Sequence, residues 1–222
     1  MTKNILVIGG TSGLGLELAE LHSAMGHTVY ITGRRDPQKA NLRFLYFAID
    51  SRAQNVVTAT EELVLKIQKV HTLIYAAGYY QEGRIDALSE ADILQMAYVG
   101  LIAPALLIRR LKNNPGKPLK VILITSSAQY TPREKEPMYT SVKAGLGMLG
   151  SSLALDPEIG KVVVAAPSGM KTPFWEEGKD VSNYLDAKWV AEQITTLSRG
   201  AFTYKYARIL RDPPRVEVIE ER

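Results

Sequence analysis

Ile5-Leu6-Val7-Ile8-Gly9-Gly10-Thr11-Ser12-Gly13-Leu14-Gly15 is an apolar run that stops at a glycine-rich turn and then becomes helical. Ile5 to Ile8 read as a buried strand, and beyond the turn Leu14, Leu18 and Leu21 recur at helical spacing. The strand, turn, helix order supplies the context that a bare glycine pattern lacks. Glycine is needed where the backbone must take conformations closed to other residues and approach a ligand closely. The free N–H groups of such a turn and the positive end of the following helix form an anion site, which suits a pyrophosphate. A purely structural corner is the plainer alternative, although three glycines exceed what a tight connection needs.

Outward from that stretch, apolar segments alternate with helical patterns. Thr28–Thr32, Arg43–Ile49, Thr72–Ala76, Val121–Thr125 and Val162–Ala166 read as strands. They are short, rich in Val, Ile and Leu, and separated by stretches long enough for crossover helices, as parallel strands require. The expected fold is α/β, a single-domain, Rossmann-type doubly wound parallel sheet with helices on both faces, spanning residues 1–222. Tyr206–Leu210 reads as a last strand, and Val216–Ile219 as an extended end.

The 222 residues suffice for one large core, and the charged and apolar fractions are ordinary. With no cysteine there is no disulfide framework, thiolate metal site or cysteine nucleophile. His22, His27 and His71 lack metal-ligand spacing, so no metal is expected, and each reads as solvated or capping. The first strand begins too close to Met1 for a signal peptide, which suggests a cytoplasmic protein. The longest apolar stretch, Leu101–Ile108, contains Pro104 and falls far short of the roughly 18 residues of a membrane span. The net charge of +4 is spread among interleaved acids, so neither nucleic acid nor membrane is an expected partner. A basic balance also suits a phosphorylated cofactor.

The second strand ends Gly33-Arg34-Arg35, without the carboxylate that would hold a ribose 2′-hydroxyl. Arginine's planar fork suits a 2′-phosphate instead; a solvated arginine pair is the alternative. Ile124-Thr125-Ser126-Ser127 closes a strand, and Tyr139 and Lys143, four apart, share a face of a later helix.

The glycine spacing G-x-x-x-G-x-G together with these serine, tyrosine and lysine positions resembles the short-chain dehydrogenase/reductase family, over almost the whole chain. The resemblance implies an NADP(H) site at Gly9, Thr11, Ser12, Gly13, Leu14 and Gly15, with Arg34 and Arg35 looking like the NADP-preferring members. The family usually has Thr where this chain has Ile8. Asp50-Ser51 stands where the family has an Asp meeting the adenine edge; helix capping explains it as readily. Ala77-Gly78 resembles the end of the family's Asn-Asn-Ala-Gly, with both asparagines missing. Pro167-Ser168-Gly169-Met170-Lys171-Thr172 resembles Pro-Gly-x-x-x-Thr, implying that Thr172 meets the nicotinamide carboxamide.

By the same resemblance Tyr139 is the acid/base, Lys143 lowers its pKa and holds the nicotinamide ribose, and a serine hydrogen-bonds the substrate oxygen. The family's motif points to Ser127 and its commonest spacing to Ser126; Ser127 is the expected residue. An asparagine that the family carries three before Gly100, where its backbone holds a relay water, is Ala97 here, with Pro104 as a second source of helix distortion. Gly145, Gly147 and Gly150 imply close packing, against a symmetry mate in a homodimer or homotetramer or against the chain's own sheet. Pro173–Leu185 reads as a short mobile lid, its Phe174, Trp175 and Tyr184 either touching substrate or packing the segment down. The implied function is hydride transfer between NADP(H) and a small-molecule carbonyl or alcohol. The alternative is a catalytically silent NADP(H)-binding redox sensor or scaffold.

Overall fold

The computed structural model describes residues 1–67, 69–113, 118–175 and 178–222. Eight strands make one sheet: β1 (Asn4–Ile8), β2 (Thr28–Gly33), β3 (Arg43–Tyr46), β4 (Thr72–Tyr75), β5 (Leu119–Ile124), β6 (Ile159–Pro167), β7 (Tyr204–Arg211) and β8 (Pro214–Glu221). The order is β3-β2-β1-β4-β5-β6-β7-β8. All neighbours are parallel until β8, which runs antiparallel to β7.

Among the described residues, six α-helices cover the faces: α1 (Gly13–Ala24), α2 (Ala53–Leu65), α3 (Glu90–Ala97), α4 (Ala103–Leu111), α5 (Pro137–Leu153) and α6 (Ala187–Leu197). Successive strand residues point to opposite faces. Leu6, Ile8, Leu73 and Tyr75 pack with Leu63 of α2, Leu107 of α4 and Leu146 of α5. Ile5, Val7 and Ile74 pack with Leu18 of α1 and Ile194 of α6. Burial on both faces is why these strands read as unbroken apolar runs rather than alternating ones. Between β1 and β4 the winding reverses, which opens a crevice beyond the carboxyl ends of the strands.

Four expectations need correction. The third strand stops at Tyr46 rather than Ile49, because after the Phe47 N–H has bonded to the Gly33 carbonyl the chain peels away to line the crevice. The extended tail is a full strand: Val216 and Val218 pair with Ile209 and Ala207, and the outer edge carries charged residues such as Arg215 and Glu217, a usual guard against edge-to-edge association. His22 is buried, with neither ring nitrogen bonded within the protein.

The fourth concerns length. Glu90–Leu111 is helical throughout its 22 residues and contains an 18-residue window of mean hydropathy 1.8, so by length and composition it could cross a membrane. The sequence reading counted only Leu101–Ile108, with Pro104 inside it, as the longest apolar stretch. In the fold Pro104 sits at the start of α4, after a π turn at Tyr98–Ile102, and the helix presents Met96, Val99, Ala103, Leu107 and Leu111 to the interior.

Candidate active site

The end of β1 sets the floor of the crevice. Gly9 has φ +78°, and a Cβ there would lie 2.8 Å from the backbone of Ala77, so the position demands glycine twice over. The Gly9 N–H donates to Thr32 Oγ1 (3.3 Å) and the Gly10 N–H to the Thr32 carbonyl (3.0 Å), tying the turn to β2. Ser12 caps α1 in extended conformation without a side-chain bond to the helix. The first N–H groups of α1, at Gly13, Leu14 and Gly15, therefore have no partner within the helix. Thr172 leans over Gly13, where a Cβ would be 3.1 Å from its own Cβ.

Gly9, Thr11, Ser12, Gly13, Leu14, Gly15, Arg34, Ala77, Gly78, Pro167 and Thr172 all line one cleft of about 930 Å³, with Ser126, Ser127, Tyr139 and Lys143. Arg35, Asp50 and Ser51 are not part of that lining. The Asp50 carboxylate instead accepts from the Arg52 backbone N–H (2.9 Å) and from its guanidinium, which holds the Asp50 carboxyl below its usual value. In its place Phe47, Ala48 and Ile49 form the wall, and Gln95 reaches across to the Ile49 carbonyl. The uncapped helix start and the glycine floor, with Arg34 on the same lining, fit a dinucleotide.

At the other end α5 carries Tyr139 and Lys143 on its inner face, both buried. Burial drives the Tyr139 phenol well above its ordinary value; the hydrogen bond from Ser126 is the chief opposing influence. Burial lowers Lys143 to about 8, and its Nζ donates to the Ile124 carbonyl (3.1 Å), 5.6 Å from the Tyr139 ring centre. The serine pair is split. Ser126, still extended after β5, faces Tyr139, while Ser127 opens a 3-10 turn (Ser127–Gln129) and its hydroxyl accepts from Arg133 Nη2 (2.7 Å). The expectation that Ser127 would meet the tyrosine therefore does not hold: alternation along the extended backbone gives that face to Ser126.

Sequence reasoning missed a polar network around these groups. Arg133 also donates to Glu136 (2.7 Å), and the Tyr80 phenol lies 3.3 Å from both Glu136 and Glu82. Burial and the two carboxylates push the Tyr80 phenol up. Tyr80 meets Tyr139 edge-on at 5.1 Å and lies near Phe174 and Trp175. The Arg133–Glu136 spacing just before α5 and the tyrosine two after Gly78 were the available signals. The lid is strapped at its base by Lys171 and Leu185, with the Trp175 indole donating to the Met170 carbonyl (2.9 Å); its residues 176 and 177 lie outside the described residues. Gly145, Gly147 and Gly150 face Leu101, Gln129 and Val164 of the same chain, so internal packing accounts for all three.

A doubly wound sheet whose glycine floor and buried tyrosine–lysine pair share one cleft defines a nucleotide-dependent oxidoreductase. The sequence profile of the short chain dehydrogenase family matches residues 3–182, and the chain belongs to that family. It is 25% identical over 234 residues to the uncharacterized oxidoreductase YohF of Escherichia coli, covering 95% of this chain and 87% of that protein. Among solved structures, acetoin dehydrogenase YohF of Salmonella typhimurium superposes with a TM-score of 0.79 at 22% identity, covering 95% and 96% of the two chains. A short chain dehydrogenase from Burkholderia cenocepacia in complex with NADP gives 0.76 at 21%, covering 89% and 91%.

Proposed function

We propose that this protein is an NADP(H)-dependent carbonyl reductase or alcohol dehydrogenase acting on a small molecule in the cytoplasm, as a homodimer or homotetramer. The observation that carries the reading is the convergence of Ser126, Tyr139 and Lys143 in the cleft that begins at the glycine turn. When bound, the cofactor supplies or accepts the hydride. Tyr139 gives its phenolic proton to the carbonyl oxygen as the alcohol forms, and takes it back in the reverse direction. Ser126 donates a hydrogen bond to that oxygen as negative charge grows on it. Lys143, which releases a proton near neutrality, recharges the tyrosine and holds the nicotinamide ribose. Gly9 and the start of α1 seat the pyrophosphate, and Thr172 the carboxamide. Arg34 at the rim takes the 2′-phosphate, a choice supported by the missing carboxylate and by the NADP-bound relative.

Phe174, Trp175 and Tyr80 lean together on the substrate side, an aromatic wall suited to a compact substrate. The test is NADPH oxidation against a panel of small ketones, diketones and aldehydes, alongside calorimetric titration with NADPH. Turnover of at least one carbonyl is expected. NADPH binding without any turnover would favour the sensor or scaffold, and absence of both would end the proposal.

A further inference from the structure

The long helix changes its hydrogen bonding at Tyr98–Ile102, and the consequence falls on one carbonyl. The Ala103 N–H bonds to the Tyr98 carbonyl, five residues back. In an α-helix it would serve Val99, four back. In π bonding the donor to Val99 would come from residue 104, but Pro104 has no N–H. The Val99 carbonyl, on a buried residue, is thus without a helical donor by either pattern. Tyr75, the last residue of β4 and fully buried, supplies one: its phenol donates to the Val99 carbonyl. Burial pushes that phenol far above its ordinary value, so it remains a donor at any working pH.

The pinned turn bears on the reactive pair. Gly100, next to Val99, lies so close to α5 that a Cβ would collide with Val142 Cγ1. Val142 precedes Lys143 and sits one turn from Tyr139. Ala97, at the entry to the turn, has no polar side chain with which to hold it. We propose that Tyr75 is a positioning residue, which by holding the Val99 carbonyl keeps the π turn pressed on Val142 and the Tyr139–Lys143 pair in working register. Only the turnover arm of its test rests on the oxidoreductase reading.

The experiment compares wild type, Tyr75→Phe and Tyr75→Phe/Pro104→Ala, in which position 104 regains an N–H that can serve Val99. Lys143 is titrated by NMR of labelled lysine side chains, assigned with Lys143→Met, and kcat and KM are measured with the best carbonyl of the panel. In Tyr75→Phe the Lys143 titration should rise by about half a pH unit or more as water reaches the loosened contact. There kcat should fall about fivefold or more, with KM within about twofold. The double variant should return both toward wild type.

An unmoved titration in Tyr75→Phe overturns the inference, as does a moved titration with unchanged kcat. Failure of the double variant to recover would show that the phenol acts by packing and not through its hydrogen bond, which overturns it too. A Lys143 titration that moves in Tyr75→Phe and returns in the double variant, in a protein whose wild type reduces no carbonyl, would remove the oxidoreductase reading and leave the pin standing.

Discussion

At the cofactor end of the cleft the walls are backbone, and at the substrate end they are side chains held by one another. Gly9 abuts the Ala77 backbone, Thr11 packs on Gly33, and the ligand-facing groups are the N–H groups that open α1. Across the cleft, Tyr80, Phe174 and Trp175 lean together, and Arg133, Glu136 and Ser127 are bonded in a chain. The floor of the first end can be altered only by moving the main chain, with Arg34 at its rim as the exception, so it suits a ligand shared by many reactions. The second can be recut one side chain at a time, so it suits whatever differs from one reaction to the next.

The sharpest test of that division lies where the two ends meet. Tyr139→Phe should lower kcat about a thousandfold while NADPH affinity measured by calorimetry stays within about threefold, since only the acid/base is lost. Ser126→Ala should cost about a hundredfold in kcat and Ser127→Ala less than about threefold. The opposite ranking would return the active role to Ser127 and its Arg133 partner.

Breaking each end in turn should give unlike failures. Gly9→Ala should destabilise the fold by about 3 kcal/mol in urea unfolding and weaken NADPH with it, because a methyl must enter the Ala77 backbone. Phe174→Ala, at a residue 39% exposed, should cost under about 1 kcal/mol and show itself in the KM for substrate. Equal destabilisation by both would erase the distinction. At the rim, Arg34→Ala should weaken NADPH about tenfold, or about 1.4 kcal/mol, and leave NADH nearly unchanged.

The smallest effect is expected far from the cleft, at His22. Burial, with help from the charges of His27 and Lys120, lowers it to about 4 from 6.5. The unfolded chain therefore binds the extra proton between those values, and the stability contribution is complete above about pH 6.5 and is lost as the pH falls toward 4. Unfolding free energy should drop by about 1 kcal/mol from His22 between roughly pH 6 and pH 5. His22→Leu should flatten that slope; an unchanged slope would mean that the imidazole finds a partner when charged.

The same division explains what the sequence revealed. The glycine turn, the strands and the tyrosine–lysine spacing are local demands, satisfied within a few residues, and they are legible as patterns. The turn at Gly9 is strained by a neighbour as distant as Ala77, yet glycine itself advertises the strain. The substrate end depends on contacts such as Tyr80 with Glu136, |i−j| = 56, which no local pattern announces. Ser127 was the expected partner of Tyr139, whereas the extended backbone at the end of β5 turns Ser126 toward it; the order of residues does not record which way that backbone faces. Tyr75 stayed hidden inside an apolar run, where its phenol looked like bulk.

The reversed last strand has a consequence in time. Every other strand pair closes across a longer connection, from residues 34–42 between β2 and β3 upward, whereas β7 and β8 are joined through Asp212 and Pro213 alone. Non-local parallel pairings settle slowly, because a long loop must be closed before its contacts form. The hairpin carries its own guard: β7 covers the outer edge of β6, and β8 lays a charged strand over β7 where another chain could otherwise add.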